Sequence, residues 1–190
     1  NKLFHEANRA TRQTLLAQGV SSEVGSSIML VPERGFTRFL ITSATLDRDY
    51  AAHKLTNVKE RQIAITTLDA FAAAHPLVPF HRTVVKIDVE GHELKVLEGA
   101  GDFLARWHPI VFIEIFLRPA NVSAIVSLVA ARGYRLMAFA DFGLVTLQPD
   151  DLIHFLGDRN FLLVHESCCD PARTVINYAD VGQFWPTAAS

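Results

Sequence analysis

The sequence predicts an α/β fold, and three observations carry that prediction. A β-branched run, Thr83-Val84-Val85-Lys86-Ile87, ends in two carboxylates, Asp88 and Glu90, and turns at Gly91 into a segment of helical period. Apolar runs then alternate with helix-period segments, an order that implies a parallel sheet. The chain has 190 residues, 49% of them apolar, which suffices for one buried core.

The elements follow in order. Residues 1–18 read as a helix, with Asn1 a candidate cap and Gly19 a candidate stop. Short strands are expected near 27–31, 36–41 and 61–65. Between them Asp47 to Lys59 is polar and without period, so it is expected to be a long loop over the site. A short helix spans Leu68 to Ala74, and the central strand runs over 83–88. One helix is expected over 92–107, because Leu94, Leu97 and Leu104 recur on one face. A strand at 110–115 is followed by a helix at 122–132, with Asn121 as its N-cap and Gly133 as its end. A strand at 134–139, a turn at Phe142-Gly143 and a run from Leu144 to Leu147 come next. Pro149 opens a short helix ending near Gly157, and Phe161 to Val164 reads as the last buried strand. The tail from Asp170 has little periodicity.

Composition excludes several function classes. A net charge of −2 without charge runs argues against a general nucleic-acid binder. The longest apolar stretches, such as Ile125 to Ala131, are too short to cross a bilayer, and no charged leader precedes them, so a cytoplasmic location is expected. Cys168 and Cys169 are adjacent, so a disulfide between them would be strained, and they are expected to be reduced. His165 stands close by, but no third orienting group is evident for a Cys-His pair. Asn121-Val122-Ser123 matches a glycosylation acceptor, yet its place at a helix start favours capping.

The chemistry-bearing residues cluster around the central strand. Side chains two apart in a strand share a face, so Lys86, Asp88 and Glu90 should point the same way and share their charges with one another or with a ligand. A plainer reading is a salt-bridged strand end followed by a helix start, with the acids favoured by the helix dipole. In an open parallel sheet ligands bind beyond the carboxyl ends of the strands, where Glu114 should also lie.

These residues resemble the FkbM family of S-adenosylmethionine-dependent methyltransferases. The resemblance rests on Lys86 to Gly91, Glu93, the segment Val96-Leu97-Glu98-Gly99-Ala100, the strand Ile110 to Ile115 with Glu114, and Thr66-Thr67-Leu68-Asp69 upstream. It covers residues from about Gln62 to Gly133. It implies a Rossmann-like class I methyltransferase sheet that lacks its first two strands, since the ten glycines include no GxGxxG loop for the cofactor. The implied organisation is a methyltransferase domain over 1–166, the later two thirds of a longer enzyme, and a C-terminal extension over 167–190. Such a fragment should bind S-adenosylmethionine weakly by itself.

The resemblance implies O-methylation of a hydroxyl on a sugar, glycan or small natural product. Such an acceptor needs a base, for which Asp88, Glu90 and His92 are the candidates, His92 being by default an exposed residue at a helix start. Lys86 and Glu114 are candidate acceptor contacts, with Lys86 also the counter-charge of the cluster. Asp88 is further a candidate contact to the cofactor, whose sulfonium favours nearby negative charge. Three acids and a histidine also allow magnesium or manganese, but the spacing is not that of a defined metal site and none is assigned. The alternative is a non-catalytic α/β binding or scaffolding domain. Phe36, Phe39, Phe80 and Phe116 are aromatic candidates for an acceptor pocket or the core.

Overall fold

Apolar alternation sets the strands of the computed structural model, which describes residues 15–32, 44–55, 57–75, 83–115, 119–140, 143–148, 151, 160–168 and 176–177. The strands form two sheets. In the smaller, β1 (Gly19–Val20) and β2 (Gly25–Pro32) flank the central β3 (Val58–Thr66). The β2–β3 pair is antiparallel from Gly25↔Ile65 to Pro32↔Val58, and β1 runs parallel to β3. Between β2 and β3 lies α1 (Arg48–Lys54), which replaces the loop expected over Asp47 to Lys59. Its cause is local: the Asp47 side chain accepts from Tyr50 N at 2.6 Å, an N-cap at the correct spacing.

The larger sheet comprises β4 (Val84–Ile87), β5 (Ile110–Glu114), β6 (Tyr134–Ala140), β7 (Gly143–Leu147), β8 (Asn160–His165) and β9 (Ile176–Asn177). Its order is β4-β5-β8-β6-β7-β9. The sheet is mixed rather than parallel as expected. Among the described residues its parallel pairs are β4–β5 and β7–β9; β8 enters antiparallel between β5 and β6, and β6 and β7 form a hairpin closing at Ala140↔Gly143. Among the described residues β4 is an edge strand, not the central one. Phe161 to Val164 lies within β8, whose Phe161, Leu162 and Leu163 are buried, and a two-residue strand, Ile176–Asn177, follows it at the far edge.

The helices are α2 (Leu68–Ala74), α3 (Glu93–Glu98), α4 (Gly101–Trp107) and α5 (Pro119–Ala130). The single helix expected over 92–107 is two, broken at Gly99-Ala100. Close approach of another segment explains the break: a Cβ on Gly99 would lie 2.2 Å from the carbonyl oxygen of Ser21. The α5 helix begins at Pro119, a favoured first-turn residue, so Asn121 lies inside the helix instead of capping it.

Alternation along the strands decides which face is buried. Val111 and Ile113 are fully buried whereas Ile110 and Phe112 remain exposed. Ile87, Val111, Ile113, Leu136, Phe161 and Leu163 form the core with Val96, Leu97 and Leu104 of α3 and α4 and with Ile125 and Val129 of α5. Each fully buried side chain of this size contributes about 1.5–3 kcal/mol.

Several expectations fall outside the described residues: the strand at 36–41, nearly all of the Pro149–Gly157 helix, Cys169 and the tail after 177. Of the helix expected over 1–18, residues 15–18 are described; they are not helical. Gly19 accordingly stands in a strand and does not stop a helix.

Candidate active site

Parallel pairing of β4 and β5, with Ile87 opposite Ile113, brings Asp88 and Glu114 to the same carboxyl-terminal edge of the larger sheet. Lys86 serves both neighbours there. Its Nζ is 3.7 Å from Asp88 Oδ2 and donates to Asn160 Oδ1 at 3.3 Å, while Asn160 pairs in register with Glu114. Lys86 and Asp88 are about half exposed, at 48% and 49%, so their attraction is weakened by solvent and serves to orient more than to stabilise.

Glu90 does not join that row, contrary to the shared face expected from strand periodicity. The strand ends at Ile87, and Glu90 adopts a left-handed backbone with φ 50°. Two bonds hold it there. The Thr45 hydroxyl donates to the Glu90 carbonyl oxygen at 2.7 Å, and the Tyr50 hydroxyl donates to Glu90 Oε2. Gly91 follows at φ 97°, and a Cβ on it would lie 2.9 Å from Tyr50 Cβ, so the glycine is required both by conformation and by space. A strained residue held from backbone and side chain alike is characteristic of a functional position.

His92 is not the exposed residue of the default reading. It is half-buried at the N-cap of α3, and its Nε2 lies 2.9 Å from Ser21 Oγ. Burial lowers its pKa below the usual histidine value, Asp47 and Glu98 oppose that shift, and Lys95 adds to it. Glu93 has a role the sequence motif did not reveal. At 2% exposure its Oε1 accepts from Gly91 N at 2.8 Å, closing the turn that carries Glu90.

The remaining motif residues are joints. Thr67 caps α2 by accepting from Ala70 N at 2.9 Å. Asp69 accepts from Phe103 N at 2.7 Å and from Asp102 N at 3.2 Å, so it caps α4 from outside that helix. Tyr50, Thr45, Ser21 and Asn160 escaped sequence reasoning because each reaches the site only through tertiary contact. One signal was present: Asp47, three residues before Tyr50, marks a helix start over the strand end.

Phe36, Phe39, Phe80 and Phe116 lie outside the described residues. Among the described residues no group of three His, Cys, Asp or Glu side chains is arranged to hold a metal ion, and no helix is long and apolar enough to cross a membrane. Cys168 is a free, exposed thiol; its Sγ lies 3.8 Å from the His108 carbonyl oxygen.

A family model described as the methyltransferase FkbM domain matches residues 4–136. No curated protein matches the chain. Among solved structures, the chain is similar to a methyltransferase FkbM from Methylobacillus flagellatus, with 16% identity and a TM-score of 0.46. The likeness covers 86% of this chain and 31% of that one, so the chain spans about a third of that protein's length.

Proposed function

This chain belongs to the FkbM methyltransferase family, and from that premise we propose that it takes part in methyl transfer from S-adenosylmethionine to a hydroxyl oxygen of a sugar, glycan or small natural product. The site is the carboxyl-terminal edge of β4 and β5. The observation that carries this reading is the Glu90 carboxylate, fixed by Tyr50 and by a backbone that Thr45 holds in a left-handed turn. A rim acid that only solubilised the surface would need neither restraint.

The donor set suits the cofactor. Asp88 and Glu114 lie at one edge and Glu90 in the turn beyond it, so three carboxylates outnumber the neighbouring cation Lys86, a balance that favours a bound positive charge such as a sulfonium. When bound, the cofactor supplies an electrophilic methyl group. Asp88 is the residue of this chain assigned to its sulfonium side, held in place by Lys86.

Methyl transfer requires the acceptor oxygen to be held in line and relieved of its proton. Glu90 takes that proton on the carboxylate oxygen that Tyr50 does not occupy. His92 is the second candidate base: burial favours its neutral ring, although Ser21 engages its Nε2. Lys86 and Glu114 contact further hydroxyls of the acceptor from the same edge.

The test is transfer of a radiolabelled methyl group from S-adenosylmethionine to a panel of hydroxylated acceptors by the longest form of the protein its gene encodes. Labelled product lost in Glu90→Gln supports the assignment. A protein that binds S-adenosylmethionine in calorimetry but methylates nothing on the panel leaves the acceptor class wrong, and one that does not bind it at all supports the non-catalytic alternative.

A further inference from the structure

The opposite end of the larger sheet carries a second cluster of titratable groups. There β8 ends at His165, α4 is capped by His108, and α5 is followed by Gly133 and Tyr134. The His108 and His165 rings lie face to face, with centroids 3.6 Å apart and planes 6° from parallel, and Tyr134 meets His165 edge-on at 5.1 Å. Ser167 Oγ bridges the Nδ1 edges of the two stacked rings, 2.8 Å from His165 Nδ1 and 3.1 Å from His108 Nδ1.

Donor directions follow from one further bond. The Ser167 backbone N–H donates to His165 Nδ1 at 3.2 Å, so that nitrogen carries a lone pair and the ring's proton is on Nε2. The Ser167 hydroxyl therefore donates to His165, and its oxygen accepts from the Nδ1–H of His108. The relay runs one way, from His108 through Ser167 to His165.

We infer that this relay is an acid-operated latch, which clasps the turn Glu166–Cys168 to the end of α4 while His165 is neutral and lets it go when His165 gains a proton. Protonating Nδ1 removes the acceptor of two donors, the N–H and the O–H of Ser167. It also places a cation 3.6 Å from the His108 ring, itself a titratable group. Among the described residues the titratable and charged groups shown to face His165 are His108 from the end of α4, Tyr134 from β6, Glu166 from the turn, and Arg135 from β6 through Glu166. Glu166 favours a charged His165, but it is exposed and lies 3.4 Å from Arg135 Nε. Burial and His108 prevail and hold the His165 pKa below the usual value.

Gly133 makes room for the ring. At φ 73° it stands where any Cβ would lie 2.9 Å from His165 Nε2. On release the hydrogen bond from Glu166 N to the Gly133 carbonyl, 2.8 Å long, remains as the hinge. Ser167 and Cys168 swing about it, and Cys168 leaves the His108 carbonyl.

Nitrogen-15 NMR of the histidine rings tests this without any ligand. At about pH 7.5 His165 should show the Nε2–H tautomer and His108 the Nδ1–H tautomer, and the His165 midpoint should fall below about 6.5. Amide exchange at Ser167, corrected for intrinsic rate, should quicken about tenfold or more between about pH 7.5 and pH 5. His108→Gln keeps an N–H donor without a titrating ring and should raise the His165 midpoint, as should Ser167→Ala. A His165 midpoint at or above the usual value, the opposite tautomers, or a midpoint unmoved in His108→Gln would overturn the latch.

Discussion

The Tyr50 hydroxyl donates to the Glu90 carboxylate, and the same ring occupies the space that a side chain on Gly91 would need. Tyr50 thus sets both the orientation of the acid and the turn that presents it. Tyr50→Phe keeps the ring and removes the bond. A hydrogen bond to a charged group contributes about 1.5–3 kcal/mol, so urea denaturation should show a loss within that range at most. Turnover should fall about tenfold with the donor KM little changed, as expected for a base that has lost its orientation. Full turnover in Tyr50→Phe would mean that Glu90 needs no such restraint.

The three carboxylates should separate by role. Glu90→Gln removes the proposed base and should cost about a hundredfold or more in turnover. Asp88→Asn should act mainly on binding of S-adenosylmethionine, read by calorimetry, as the role proposed for it on the cofactor side requires. Glu114→Gln should cost least if, as proposed, it only shapes the acceptor edge. Equal effects for all three would remove the distinction drawn between Glu90 and its neighbours.

Gly99 and Gly101 offer a contrast of backbone against side chain. A Cβ at Gly99 meets the Ser21 carbonyl at 2.2 Å, whereas one at Gly101 meets the end of the Arg132 side chain at 3.3 Å. The arginine side chain can move, whereas the Ser21 backbone is held by the bond from its N–H to the Thr66 carbonyl. Gly99→Ala should therefore lower the melting temperature sharply, and Gly101→Ala only slightly or not at all. Equal melting temperatures would show that the Ser21 segment yields.

Legibility in the sequence followed the range of the forces involved. The strands at 83–88, 110–115 and 134–139 were readable because alternation and β-branching act locally, and their observed spans, Val84–Ile87, Ile110–Glu114 and Tyr134–Ala140, follow those runs. Strand order was not readable. Nothing in Phe161 to Val164 says that it will enter antiparallel between β5 and β6, because that choice is made by the faces it buries. The break at Gly99 had a local mark, the glycine itself, but its cause is Ser21, far away in the chain. At the site, Asp88 and Glu114 could be placed from strand ends alone, whereas Glu90 could not, since its left-handed turn depends on Thr45 and Tyr50.

Asp69 tests whether the motif upstream of β4 is a joint. Its carboxylate accepts from two backbone N–H groups of α4 that no residue within the helix can satisfy. Asp69→Ala should cost about 1–2 kcal/mol by urea denaturation, the usual cost of losing a cap, and Asp69→Asn should recover part of it. No loss in Asp69→Ala would leave α4 capped by other means.

The pH dependence of stability should carry the signature of His92. Its folded pKa lies below that of the unfolded chain, with burial the leading cause, so between the two values the unfolded state binds the proton that the folded state refuses. The contribution is fully present above about pH 6.5, the unfolded value, and is lost as pH falls through that value toward the folded one. His165 is shifted in the same direction, so the wild-type curve alone does not isolate His92. The difference between wild type and His92→Gln does. Unfolding free energies from urea at about pH 7.5 and about pH 5 should fall less in His92→Gln than in wild type, because the variant has one fewer group to protonate on unfolding. Parallel curves would mean that the Ser21 contact and the burial at the start of α3 leave His92 free to take its proton in the folded protein.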